Sequence, residues 1–211
     1  MRARGTAALL AAAIAALPAT AAGRGAVELG ARMALALPFG DAEPGAPLAD
    51  AVSGQLPVWL EVSYRFAPRL ALGAFGSVAP GLPGDGLSGA CDRTGSPCRS
   101  LGLRAGLQAT FELRPGARPA PWIGLGAGVE WLRSSAGSTT HVWSGWEWAT
   151  VQGGASWPVG GVGALGPFLA AGLGRYGRRA IAEGGGSAAF GVSDPAVHAW
   201  AQVGVRGTLR F

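Results

Sequence analysis

Three residues near the middle of the chain carry the side chains of a hydrolase. His141, Ser144 and Glu147 lie within seven residues of one another. A serine hydroxyl that a histidine activates and an acid orients can attack an ester, and such a set would suit an enzyme that modifies lipids. A triad is defined by geometry rather than by closeness in sequence, and these residue types often meet near one loop by chance. We therefore expect no enzymatic activity, and a membrane-embedded, lipid-modifying hydrolase is the alternative.

Three arginines lie close together further along the chain, at Arg175, Arg178 and Arg179. Planar guanidinium groups bind phosphate oxygens through paired hydrogen bonds, so this group is a candidate phosphate contact. The alternative is that it forms the solvated base of a loop. The same segment fits the dinucleotide pattern Gly-x-Gly-x-x-Gly at residues 172–177, but it lies within a strand pattern and opens no helix. We expect no cofactor.

The two cysteines, Cys91 and Cys98, lie together in a polar stretch. In an exported chain this spacing favours a disulfide that pins a loop. A metal site would need more ligands than the chain's two distant histidines add. Three carboxylates in one predicted loop could attract a hard cation, but their spacing fits no known calcium loop and we expect them to be solvated; they are Asp41, Glu43 and Asp50.

The first 22 residues have the features of a cleaved secretory signal peptide. Arg2 and Arg4 precede an apolar run over residues 7–17, and small residues follow at 19–21. No stretch approaches the roughly 20 apolar residues that a membrane-spanning helix needs, which excludes a helical membrane protein. We predict a signal peptide over residues 1–22, export through the periplasm, and one domain over residues 23–211.

The charge content excludes nucleic acid as a partner and indicates a surface with few charges. The formal net charge of +5 falls to +3 without Arg2 and Arg4, and it forms no basic cluster of the kind that reads nucleic acid. Charged residues make up 14% of the chain, against about 25% in typical soluble domains. The mean hydropathy is +0.29. The predicted surface is therefore short of charge.

Apolar and polar residues alternate with a period of two along most of the chain, which predicts an all-β fold. The predicted strands occupy residues 27–39, 56–66, 69–79, 101–113, 123–131, about 147–157, 167–176 and 199–211. Short turns alternate with long polar connections at 40–55, 80–99, 133–146 and 177–196. Eight strands joined in this way predict an antiparallel up-and-down transmembrane β-barrel. The pattern leaves the two faces of the seventh strand unassigned.

The charges in the best-defined strands all lie on the face opposite the aliphatic residues. An arginine facing lipid at the midplane costs about 2 to 4 kcal/mol, so this segregation indicates charges inside and lipid outside. The predicted lumen ion network consists of Glu28, Arg32, Glu61, Arg65, Arg104, Glu112, Glu130, Arg206 and Arg210. Because an eight-stranded lumen is filled by side chains, we expect no open pore. A secreted soluble β-barrel that binds a small apolar ligand is a further alternative.

Aromatic residues cluster at the predicted strand ends and indicate two girdles at the membrane interfaces. The girdle beside the long connections is predicted to contain Phe39, Trp131, Trp143, Trp146, Trp148 and Tyr176.

The last strand, AWAQVGVRGTLRF, resembles the C-terminal signal of bacterial outer-membrane β-barrels, with Val203, Val205, Leu209 and Phe211 in the matching places. WSGWEWATVQGGA (143–155), GPFLAAGLGRY (166–176) and HAWAQVGVRG (198–207) resemble segments of small, eight-stranded outer-membrane barrel proteins. The resemblance implies a monomer in the bacterial outer membrane, recognition of the last strand by the barrel-assembly machinery, and surrounding membrane lipid. Lipopolysaccharide phosphates are then the expected contact of the three arginines. The resemblance implies no activity, and we expect a structural or surface-interaction role.

Overall fold

A computed structural model describes residues 25–211, so the predicted signal peptide over residues 1–22 lies outside the described chain. The strands are β1 (Ala26–Glu43), β2 (Ala46–Pro47), β3 (Val52–Gln55), β4 (Val58–Ala67), β5 (Leu70–Pro83), β6 (Cys98–Glu112), β7 (Ala120–Ala136), β8 (Thr139–Val159), β9 (Gly163–Glu183), β10 (Gly186–Gly191) and β11 (Val197–Arg210). The helices are α1 (Leu48–Ala51) and α2 (Asp85–Thr94). Neither described helix is long and apolar enough to cross a membrane.

The strands form one antiparallel sheet that closes on itself, which confirms the predicted barrel. Strands β3 and β4 together form one member of the ring, interrupted at residues 56–57 because Pro57 has no N–H to donate to a ladder. The ring therefore has eight members, and β2 and β10 extend it at one end. The first and last strands close the ring through a ladder that runs from Glu28 opposite Arg210 to Gly40 opposite His198.

Short connections lie at one end of the ring, at residues 68–69, 113–119 and 160–162, as the sequence predicts. The four long segments at the other end contain more regular structure than their polar composition indicates. β7 and β8 continue pairing up to a tight turn at Gly137, whose φ of 57° suits glycine. Backbone pairing satisfies its own donors and acceptors whatever the side chains are, so composition does not reveal these extensions.

The outer face of the ring is apolar and the inner face is polar and aromatic. Leu107 and Leu125 are 70% and 63% exposed, whereas Arg32 is 2% exposed and Trp59 is 1% exposed. The structure also assigns the seventh barrel strand: Leu169 points outward and its neighbours in β9 point inward. The charges are therefore inside and the aliphatic side chains outside, as the charge pattern predicts.

Two register shifts in the β8–β9 ladder, at Ser144/Gly145 and at Glu147/Ala149, change which side chains point inward. Trp146 and Trp148 are both exposed on the outer face, while Glu147 between them is buried. The prediction for two girdle residues is wrong. Trp143 and Tyr176 are buried inside the barrel, at 8% and 1% exposure, and do not face lipid.

Candidate functional site

The interior charges form layers, and the layer nearest the short turns contains two arginines and two glutamates. Arg65 binds Glu28 at 2.8 Å and Glu112 at 2.5 Å. Arg210 binds the same two carboxylates, at 2.6 Å and 2.8 Å, and its side chain is 50% exposed. A cavity of about 340 Å³ enters from this end, and its lining reaches Trp122 and Arg206. This first layer is therefore the part of the interior that is accessible to solvent.

The second layer is centred on Glu61, whose carboxylate holds two buried arginines. Arg32 donates to both of its oxygens, at 2.6 Å and 2.7 Å, and Arg206 donates at 3.0 Å. Gln108 and Gln152 complete the network by bonding each other and the Arg32 guanidinium. These hydrogen bonds join the two amides to the ion group of the layer.

Aromatic rings surround the Arg32 guanidinium in this layer. Its central carbon lies 5.5 Å from the ring centre of Trp59, 5.7 Å from that of Trp122 and 5.3 Å from that of Phe168. A guanidinium over aromatic faces gains a cation–π attraction that is largest away from water. The rings therefore stabilise the cation of the second layer.

The third layer combines Arg104, two glutamates and a histidine. Arg104 Nε lies 3.4 Å from a Glu130 oxygen and 3.7 Å from a Glu147 oxygen. His198 binds the other Glu130 oxygen and stacks on Tyr176, with ring centres 4.2 Å apart. His198, near the outer end of β11, is therefore buried in the lumen.

All nine residues of the predicted ion network face the interior, and the structure adds a tenth, Glu147. The alternation rule fails to identify Glu147 because the register shifts interrupt the alternation around it. With Glu147 included, the interior holds five arginines and five glutamates; these are Arg32, Arg65, Arg104, Arg206 and Arg210 with Glu28, Glu61, Glu112, Glu130 and Glu147. Equal numbers matter because an uncompensated buried charge is costly.

The three hydrolase-type residues do not form a catalytic arrangement. Glu147 lies in the third layer beside Arg104 and bonds Thr150. His141 lies near the outer end, where it stacks on Trp143 with ring centres 5.6 Å apart. Over residues 25–211, no hydrogen bond or ion pair joins any two of His141, Ser144 and Glu147. The alternative of a hydrolase at these residues has no geometric support.

A fourth cluster lies at the outer mouth, and we call it the mouth cluster: Glu43, His141, Trp143 and Arg179. Glu43 accepts from the Trp143 indole at 2.7 Å and from Arg179 at 3.2 Å. Arg179 also lies 3.0 Å from His141 Nδ1. Because arginine only donates, Nδ1 is the acceptor and the neutral ring carries its proton on Nε2. Burial and the nearby Arg179 charge both lower the pKa of His141, which favours this neutral form.

The three arginines of the predicted phosphate contact do not point in the same direction. Arg179 turns inward to Glu43. Arg175 is exposed on the outer face and lies over Trp148, 5.3 Å from the ring centre, and Arg178 is exposed beside it. Two of the three arginines are therefore available to a ligand outside the barrel.

The remaining predicted residues lie on the surface or in the loops. Cys91 in α2 and Cys98 at the start of β6 form the predicted disulfide. Among the loop carboxylates, Glu43 belongs to the mouth cluster, and residues 25–211 contain no grouping of three side chains that could hold a metal ion. The proposed assembly-signal residues are outward-facing and exposed; they are Val203, Val205, Leu209 and Phe211.

Comparison with known proteins supports the fold. No protein-family model matches the sequence, and no curated protein matches it. The crystal structure of Neisserial surface protein A, from Neisseria, is similar over 91% of this chain and 100% of that chain, with 14% identity and a TM-score of 0.50. A major outer membrane protein from Thermus thermophilus covers 87% of this chain and 99% of its own, with 15% identity and a TM-score of 0.47. At this identity the likeness to the Neisserial protein establishes the fold alone.

Proposed function

We propose that this chain, an eight-stranded barrel of the outer-membrane type, is a structural or surface-interacting protein of the bacterial outer membrane with a sealed lumen. It is not an open porin in this proposal. The observation that carries the proposal is the stack of neutralised ion layers across the interior. A soluble secreted barrel would place its charges on the outer face, whereas here that face carries leucine and valine.

The second layer is the proposed barrier to ions. Arg32 and Glu61 have side chains that are 0% and 1% exposed, and both amides of the layer bond to them. An ion crossing this layer would have to separate the pair in a low-dielectric setting, where an unpaired charge is strongly disfavoured. The aromatic rings around Arg32 occupy the remaining space. A ring of eight strands is too narrow for ions to pass around this layer.

Single-channel recording in a planar lipid bilayer tests the seal. We expect no stable conductance from the folded protein, because no hydrated path crosses the second layer. The double substitution of Arg32 and Glu61 by alanine, which shortens both side chains, provides the comparison. Steps of constant conductance from the unaltered protein, seen at low voltage and proportional to protein inserted, would refute the sealed lumen.

Lipopolysaccharide is the proposed contact at the outer leaflet. Arg175 and Arg178 are both exposed near the outer end of β9, Arg175 lies opposite Trp146 in the ladder, and the Trp148 ring supports the Arg175 side chain. Guanidinium groups there can form paired hydrogen bonds to lipid phosphates.

Changing Arg175 and Arg178 to glutamine should reduce the rise in unfolding temperature that added lipopolysaccharide causes. Arg69 and Arg114, exposed at the short-turn end, are the matched control pair, and their change to glutamine should leave that rise intact. An equal loss in both double variants would reject the proposed contact, as would no loss in either.

A further inference from the structure

The cavity of about 340 Å³ at the short-turn end of the lumen has an excess of positive charge in its wall. Four arginines line it against two carboxylates; these residues are Arg65, Arg118, Arg206 and Arg210 with Glu28 and Glu112. Two positive charges of the wall therefore have no carboxylate within it. The sealed-lumen proposal makes no use of this excess.

The carboxylate behind the cavity does not remove the excess. Arg206 donates to Glu61, but Arg32 already donates to both oxygens of that carboxylate, at 2.6 Å and 2.7 Å. One negative charge thus serves two arginines in the second layer. The compensating charge lies in the third layer, where two glutamates share one arginine. The Arg206 guanidinium is therefore a source of positive charge at the inner end of the cavity.

Three of the lining arginines have N–H groups that no protein acceptor uses. Arg206 and Arg210 each bind carboxylates through Nε and Nη2, and neither Nη1 has an acceptor among residues 25–211. The Arg206 side chain retains 8% exposure where it lines the cavity, and its Nη1 is not enclosed by protein. Arg118 is exposed and forms no ion pair within the described chain. Since an uncompensated charge away from water is costly, an anion that reaches these groups gains affinity.

The two lining carboxylates differ in how strongly they oppose an anion. Arg65 bonds both oxygens of Glu28, at 2.8 Å and 3.2 Å, and Arg210 bonds one of them at 2.6 Å. In Glu112 a single oxygen accepts from both arginines, and its second oxygen has no donor among the described residues. Glu112 is therefore the lining charge that most opposes an incoming anion.

We propose that this cavity binds a small divalent oxyanion of the phosphate type. Its two negative charges match the excess of the wall, and its tetrahedral oxygens face Arg206 at the inner end, Arg210 in the first layer and Arg118 in the connection. A carboxylate carries one charge and has two oxygens in one plane, so it neutralises half of the excess. The Trp122 ring, 4.6 Å from the central carbon of Arg206, supports that guanidinium before the anion arrives. The site does not depend on whether the lumen conducts.

Isothermal titration calorimetry of the folded protein in phosphatidylcholine nanodiscs tests the site, with empty nanodiscs as the blank. At about pH 8 inorganic phosphate is largely divalent, as sulfate is. We expect saturable binding of both anions, and acetate should bind at least about tenfold more weakly because it has half the charge and fewer acceptor directions. Acetate binding as tightly as phosphate would overturn the divalent assignment, and absence of saturable phosphate binding would overturn the site.

Substitutions in the wall locate the anion. Arg206→Gln should weaken phosphate binding by more than about tenfold, because it removes the inner charge while Glu61 keeps Arg32 as its partner. Arg118→Gln should weaken it about fivefold. Arg114, exposed in the same connection but outside the cavity wall, is the matched control, and Arg114→Gln should leave phosphate binding unchanged. Equal losses in the Arg118 and Arg114 variants, with folding verified by heat-dependent gel migration, would indicate a general charge effect and refute the site.

Glu112→Gln tests the sign of the charge effect. The change removes a negative charge from the wall and leaves an amide carbonyl as an acceptor for Arg65 and Arg210. Phosphate binding should therefore become about threefold tighter. Unchanged or weaker phosphate binding in this variant would contradict an anion held by the excess of arginine.

Discussion

At the scale of single residues, the interior depends on charges that satisfy one another. Glu61 is the centre of the second layer, because it is bonded by Arg32, Arg206 and Gln108. Glu112 lies in the solvent-accessible first layer. The two arginines that bind it also bind Glu28, and one of them, Arg210, has a half-exposed side chain. The two carboxylates therefore offer a matched comparison of buried and partly solvated ion pairs.

Replacing Glu61 with glutamine should lower the free energy of unfolding by about 3 to 5 kcal/mol, because two buried arginines lose their counter-charge. Glu112→Gln should cost less than about 1 kcal/mol, since water and Glu28 still solvate its partners. Urea-induced unfolding in lipid vesicles, followed by tryptophan fluorescence, measures both. Similar losses in the two variants would contradict a graded, layered interior.

The sequence identifies nine of the ten interior charges because lipid imposes a strict rule on one face of every strand. It does not identify the role of Glu147, which adjoins a register shift between β8 and β9. Trp143 falls in a predicted connection, and Tyr176 falls in the strand whose faces the pattern leaves unassigned. A bulge adds one residue without a compositional mark. The mouth cluster is also hidden from sequence reasoning, because it joins Glu43 to Arg179 across 136 positions of the chain.

At the scale of elements, β8 contains an extra residue relative to both neighbouring strands. Glu147 and Ala149 lie opposite consecutive residues of β9, and Gly126 and Gly128 of β7 enclose the same shift. Trp148 is thus the extra residue of the β8–β9 ladder. The bulge changes the phase of the alternation, so Glu147 and Thr150, three residues apart, both point inward while Trp148 faces outward.

Deleting Trp148 should leave the barrel able to fold, because the shift at this position then disappears from both ladders and every other β8 residue keeps its face. Deleting Val151, in a regular part of the same strand, should prevent folding, since it moves buried Gln152 or Thr150 toward lipid. Refolding into detergent micelles, scored by heat-dependent gel migration, distinguishes the two. Failure of both deletions would show that the bulge itself is required.

At the scale of the whole molecule, the distribution of polarity is the reverse of that in a soluble protein. The interior holds arginine, glutamate and glutamine, and the outer face holds large aliphatic side chains. Alternation and charge segregation are visible in the sequence, so the fold class and strand number are predictable. The helices α1 and α2 are not, because short helices in glycine-rich segments leave no sustained period.

The closed ring should resist mild detergent and unfold only on boiling, because every barrel strand is paired on both sides. We expect an unboiled sample to migrate differently from a boiled one on a detergent gel. Identical migration of the two samples would show that the ring is not closed under these conditions.

The ladder between β1 and β11 has a consequence for synthesis. Val27 and Phe211 exchange backbone hydrogen bonds at 2.9 Å and 3.2 Å, so the final residue is part of the seam. Contacts so distant in sequence cannot form while translation is in progress. Closure of the ring therefore waits for β11, and a truncation that removes this strand leaves β1 and β9 each without a partner on one side.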